Sequence, residues 1–183
     1  MSTHSLIWPT TTSAVMDGSD RFTALYTRHR DRVYRWALRY SAGDAAFAED
    51  VTQDVFIRLM DRLSHLEDVD ALEGWLYRVT ANRCLSKLRR RSLGQKILNG
   101  LGFGPTPQEG SEARLEARDD LRRVLAALRD LPDRERVVMT MLHQDGLSQT
   151  EIARTLGLSK GYVSKLVTRA TQTLRSAGWE VEA

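Results

Sequence analysis

The chain has 183 residues, 42% of them hydrophobic, 28% charged and 7% aromatic, and 27 basic against 24 acidic side chains give a formal net charge of +3. That length holds one domain or two small ones, and the apolar share is ordinary for a globular protein. No apolar run approaches the roughly 18 residues of a membrane helix, and the single cysteine, Cys84, leaves no internal disulfide framework or Cys-based zinc cluster.

Residues 1–19 are rich in Ser and Thr, show no apolar period and read as a disordered tail. Within them Leu6-Ile7-Trp8 is too short for a signal-peptide core and follows no basic residue, so a cytoplasmic chain without membrane insertion is expected. From Asp20 the pattern turns helical: Phe22, Leu25, Tyr26, Val33, Trp36, Ala37 and Tyr40 recur at three- and four-residue steps. Ser41-Ala42-Gly43 stops that helix, and Asp44 is the expected N-cap of the next, with its stripe Phe47, Val51, Val55, Leu59 and Leu63. After a polar loop, 64–69, Asp70 and Glu73 have the spacing of a capping box. The helix they open carries Leu72, Trp75, Leu76, Val79, Leu85 and Leu88 and runs into the basic stretch Arg89-Arg90-Arg91.

Residues 92–111 read as a linker, because Gly94, Gly100, Gly102, Gly104, Pro105, Pro107 and Gly110 fall there. Ile97, Leu98, Leu101 and Phe103 suggest that this linker docks on something. Twenty residues reach at most about 70 Å when fully extended. The second half is helical as well. One helix is expected from Glu112 to Arg129, and another begins at Pro132 and ends at Gly146. Ser148 and Glu151 form a second capping box, and Ser159 caps a last helix to Ala177. The fold class is therefore all-α, two small helical domains joined by a flexible linker, with boundaries 20–92, 93–111 and 112–178 and a C-terminal tail, 179–183.

Charge is unevenly spread. Between Gly74 and Gln108 there is no Asp or Glu but seven basic residues: Arg78, Arg83, Lys87, Arg89, Arg90, Arg91 and Lys96. From Glu109 to Glu135 eight acids face six arginines, and from Ser148 to Arg175 the balance returns to five basic residues against Glu151 alone. Two basic segments around an acidic one suggest two contacts with a polyanion.

The second basic segment contains a helix-turn-helix. In Gln149-Thr-Glu-Ile-Ala-Arg-Thr-Leu-Gly-Leu-Ser-Lys-Gly-Tyr-Val-Ser-Lys-Leu, Ala153 is small where two helices cross and Gly157 sits where a tight turn favours positive φ. Val163 and Leu166 anchor the second helix against Ile152, Leu156 and Leu158. Such a helix enters the major groove, exposing Lys160, Gly161, Tyr162, Ser164, Lys165, Thr168 and Arg169 to DNA, with Ser159 and the free N–H groups behind it suited to a phosphate. Lys165 and Arg169 share a face and suit guanine edges or phosphates.

The first basic segment differs. Trp75 and Tyr77 precede Arg78, Asn82, Arg83, Ser86, Lys87, Arg89 and Arg90 on one helix, and cations interleaved with aromatics suit a strand whose bases are partly unstacked. For Trp75, core packing is an equal alternative, because it continues the apolar stripe. His4, His29, His65 and His143 are scattered without ligand spacing and no Gly-rich phosphate loop follows a strand, so no metal, cofactor or catalysis is expected.

Three motifs in order carry a family resemblance: Ala48-Glu-Asp-Val-Thr-Gln-Asp-Val-Phe-Ile-Arg-Leu, then Trp75-Leu-Tyr-Arg-Val-Thr-Ala-Asn-Arg with its trailing arginines, then Leu131-Pro-Asp-Arg-Glu-Arg-Val-Val with the helix-turn-helix. Together they resemble an extracytoplasmic-function (ECF) sigma factor of bacterial RNA polymerase. The resemblance implies a first domain (region two) that holds core polymerase and opens the minus-ten element, and a second (region four) that reads the minus-thirty-five element. By resemblance, Asp50, Gln53, Asp54 and Phe56 contact the polymerase clamp helices, region four meets the flap, and Asn82 meets an unstacked minus-ten base. The loop 64–74 corresponds to one that captures a flipped base, and an anti-sigma protein is an implied partner. Ser86, in place of a common acidic residue, and Ser-Lys-Gly-Tyr-Val-Ser-Lys at the recognition helix depart from the usual pattern. An operator-binding helix-turn-helix regulator is the alternative, and it would act as a dimer without polymerase; a nucleic-acid-modifying enzyme ranks third, for want of a catalytic cluster.

Overall fold

The computed structural model of the chain describes residues 18–63, 71–100 and 126–179, with the side chains of 95–100 excepted. Every element among them is helical: α1 (Gly18–Tyr40), α2 (Ala45–Arg62) and α3 (Leu72–Gly100), then α4 (Asp133–His143), α5 (Gln149–Leu156) and α6 (Lys160–Ser176). A further helical turn covers 126–130. Of the expected helix from Glu112 to Arg129 only this end falls among the described residues; the loop 64–69, the Asp70 half of its capping box and the tails 1–17 and 180–183 lie outside them.

The local chemistry explains most boundaries. Asp44 caps α2 by accepting a hydrogen bond from the Phe47 N–H at 2.9 Å. Ser148 and Glu151 make a reciprocal capping box at the start of α5, and Ser159 accepts from the Tyr162 N–H at 3.2 Å at the start of α6. Gly157 stands at φ +65°, the left-handed value that closes α5 and that a side chain would strain. Pro132 precedes α4 as its N-cap, one position earlier than the first-turn site expected.

The third helix departs from the sequence reading. It runs on to Gly100, well into the stretch expected to be linker. A glycine such as Gly94 costs a helix only about 1 kcal/mol relative to Ala, less than is needed to end an established run.

Helices α1, α2 and α3 form one module, in which Val33, Ala37, Val51, Val55, Leu59, Leu76, Ala81 and Cys84 are fully buried. Helices α4, α5 and α6 form a second around Val137, Val138, Met141, Ile152 and Val163. The two modules are packed together: their buried residues make one contiguous apolar cluster. Cys84 belongs to this core, and burial pushes its thiol well above the ordinary range, which suits a packing role. No described helix is long and apolar enough to cross a membrane.

Candidate nucleic-acid interface

The recognition helix presents the face the sequence predicted. Lys160, Gly161, Ser164, Lys165, Thr168 and Arg169 are exposed, while Val163, Leu166, Val167 and Ala170 turn inward. Its N-terminal residues are therefore free to meet a groove. Tyr162 differs, being half-buried: Arg134 donates to its hydroxyl at 2.9 Å and lies over its ring at 5.9 Å. Glu135, in the first turn of α4, is buried; burial raises its carboxyl above the usual range, and Arg169 opposes that shift.

On α3 the candidate residues are largely engaged with the chain itself. Arg83 donates to Asp54 at 2.7 Å, and Lys87 bridges Asp54, at 2.8 Å, and Asp50. Partial burial works against ionisation of Asp54, but hydrogen bonds from these two cations outweigh it and hold the carboxyl below its ordinary range. The hydrogen bond from Asp54 likewise raises Arg83. So two sets that the sequence reading kept apart, one for polymerase and one for DNA, are interlocked across α2 and α3. Gln53 and Asp50 are exposed, whereas Phe56 is buried at 3% exposure in a cluster with Phe22 and Tyr26.

Trp75 is half-buried with Arg62 over its ring at 5.8 Å. Arg78, Arg89 and Arg90 are exposed and Ser86 is half-buried. Tyr77 packs edge-on against Trp36 and gives its hydroxyl proton to Asp145 at 2.8 Å. Asn82 donates to the Thr155 carbonyl of α5 at 3.0 Å, so the second module covers it. Glu73 pairs with Arg32 of α1 and pins the start of α3.

Asp145 is the residue that sequence reasoning missed. It sits beside Gly146 in a turn, where Asp and Gly are ordinary, and its partners lie far off in the chain. Its side chain is 8% exposed and accepts from Arg39 at 2.5 Å, Tyr40 at 2.8 Å and Tyr77 at 2.8 Å.

Comparison with known proteins follows the same division. The Sigma-70 region 2 model matches residues 25–93 and the Sigma-70 region 4 model matches 127–176, in that order. The ECF RNA polymerase sigma factor SigE of Mycolicibacterium smegmatis is 37% identical over 158 residues, covering 82% of this chain and 59% of its own length. SigL of Mycobacterium tuberculosis is 29% identical over 153 residues, covering 83% of this chain and 85% of itself. The chain belongs to the ECF sigma factors.

Solved folds agree. The sigma factor RpoE from Bartonella quintana, in complex with the anti-sigma factor NepR, superposes with a TM-score of 0.56 at 20% identity, over 85% of this chain and 95% of that one. CnrH, in complex with the cytosolic domain of CnrY, gives 0.52 at 25% identity over 87% and 88%. In sigma-factor terms α1–α3 are region two and α4–α6 region four, and the basic helices α3 and α6 each fall inside a matched region.

Proposed function

We infer that this chain is an alternative sigma subunit, which joins core RNA polymerase and brings it to particular promoters. The observation that carries this reading is that both sigma regions occur in order, each with a basic helix placed for a different form of DNA. Region four, proposed as 112–178, reads the upstream element through Lys160, Lys165, Thr168 and Arg169. Region two, proposed as 20–92, holds polymerase through the α2 face with Asp50, Gln53 and Asp54, and meets the opened downstream strand through Asn82 and the cations of α3. Residues 93–111 are proposed as the tether. Its extended reach of about 70 Å corresponds to about 20 base pairs at 3.4 Å each, enough to join two promoter contacts.

The work is binding and positioning, and the chemistry of RNA synthesis is left to polymerase. The cytoplasm is the compartment, and an anti-sigma protein is the proposed antagonist, since both solved relatives carry a protein partner of that kind or its analogue. The exposed Ile57 and Met60 beside Gln53 give such partners an apolar foothold.

The deciding experiment mixes purified chain with core polymerase and scores promoter-specific initiation. Sequence-dependent transcripts that vanish without the chain support the reading. Tight duplex binding as a dimer, with no transcript from any promoter, would instead favour an operator-binding regulator. Asp50→Ala with Asp54→Ala is expected to weaken polymerase binding while leaving duplex DNA affinity unchanged; equal loss in both assays would point to misfolding.

A further inference from the structure

We propose that in the isolated chain region four is a lid on region two, closed over Asn82 and latched by the Asp145 carboxylate. This rests on the sigma reading for what the lid hides, but the latch itself is a matter of geometry. Two promoter contacts separated by tens of ångströms require the modules to part. The structure holds them together with the helix-turn-helix on the α3 face.

The contacts are specific and numerous enough to define a state. Asp145 leaves region four and enters a pocket made by Arg39 and Tyr40 from α1 and Tyr77 from α3, as three donors from region two converge on one carboxylate. Burial pushes both tyrosine hydroxyls far above their ordinary range, so each remains a donor at any physiological pH. Arg136, itself 7% exposed, reaches the Tyr40 carbonyl at 3.1 Å while gripping Asp133 at 2.6 Å. Arg129 donates to the Ala42 carbonyl at 3.0 Å. Ala42 holds φ at +54°, a left-handed conformation that costs a non-glycine residue roughly 1–2 kcal/mol and turns its carbonyl toward region four. Ser92 of α3 binds Asp133 at the start of α4.

The consequence falls on one DNA contact and spares the other. The Asn82 amide is spent on the Thr155 carbonyl, whereas Lys160 and Lys165 on the far side of the helix-turn-helix stay exposed. The closed chain is therefore able to touch duplex through region four but not an opened strand through Asn82. Opening exchanges buried, hydrogen-bonded groups for solvent, so it needs a partner that binds the open form better.

The test uses the full chain with Arg28→Cys and Gln172→Cys, both exposed sites, carrying spin labels; Cys84 is buried and stays unlabelled. Distance distributions are measured alongside affinity for a fluorescent single-stranded oligonucleotide of mixed sequence. The unlatched variants are Asp145→Ala and the milder Tyr77→Phe, each checked for wild-type helicity by circular dichroism. The expected result is one short distance in the parent and a shift to longer ones in both variants. Single-strand affinity rises up to about tenfold if the closed form held about nine-tenths of the molecules, and Asn82→Ala removes part of that gain. A parent with broad, long distances overturns the proposal. So do helical variants that keep the short distance and the parental affinity; should Asp145→Ala lose helicity, Tyr77→Phe decides. Failure of promoter-specific transcription would remove the sigma reading without touching the distance result.

Discussion

The two basic helices look alike as strings of residues and differ as surfaces. On α6 the cations Lys160 and Lys165 are exposed and form no ion pair with another described residue. On α3 Arg83 and Lys87 are bound to Asp54 and Asp50, and Asn82 is bound to region four. A helix that reads intact duplex needs a preformed cationic face, because the groove is always there to meet it. One that meets an opened strand has a target only after polymerase and DNA have rearranged, so its groups are affordably engaged elsewhere until then.

That contrast can be broken at its strongest point first. Arg136→Ala removes a buried guanidinium that joins the modules, and about 3 kcal/mol of unfolding free energy is expected to go with it, read by urea denaturation. A loss within ordinary surface variation would mean that the junction does not shield α3. Next, Lys165→Ala should cost about 1–3 kcal/mol of affinity for the upstream duplex if the contact is to a base, and relax sequence preference there. Lys87→Ala should leave upstream binding unchanged; equal losses from both would erase the distinction between the helices.

Smaller effects sharpen it. Asp44→Ala removes the cap of α2 and the partner of Arg91, and about 1 kcal/mol of stability is expected to be lost in thermal or urea unfolding. The smallest effect is a pH dependence. Asp54 has a carboxyl held below its unfolded value, so its contribution is full above that unfolded value, near 4. It fades as pH falls through the lower folded value. Asp54→Asn should flatten this acid limb of the stability curve; an unchanged limb would show that the Arg83 and Lys87 pairs carry no net stability.

Legibility followed the range of the interaction that sets each feature. Asp44, Ser148 and Ser159 act on N–H groups three residues away, and all three caps stand where the sequence put them. Gly157 was readable for the same reason, since its φ is a property of one residue and its turn. The end of α3 was not, because helix propagation past Gly94 depends on the cooperativity of the whole run. Phe56 followed the apolar stripe into the core, although the family pattern placed it at a partner surface.

Sequence by itself determined the helices, their caps, the helix-turn-helix and the two basic segments, because these depend on periodicity and near neighbours. It also carried the motif order that places the chain among ECF sigma factors. Tertiary structure alone decided which charges are available. Asp145 finds Tyr40 and Tyr77 from 105 and 68 positions away, and Asn82 finds Thr155 from 73. Partners so distant are brought together by burial of a common core, and no local pattern records which polar groups that burial will pair.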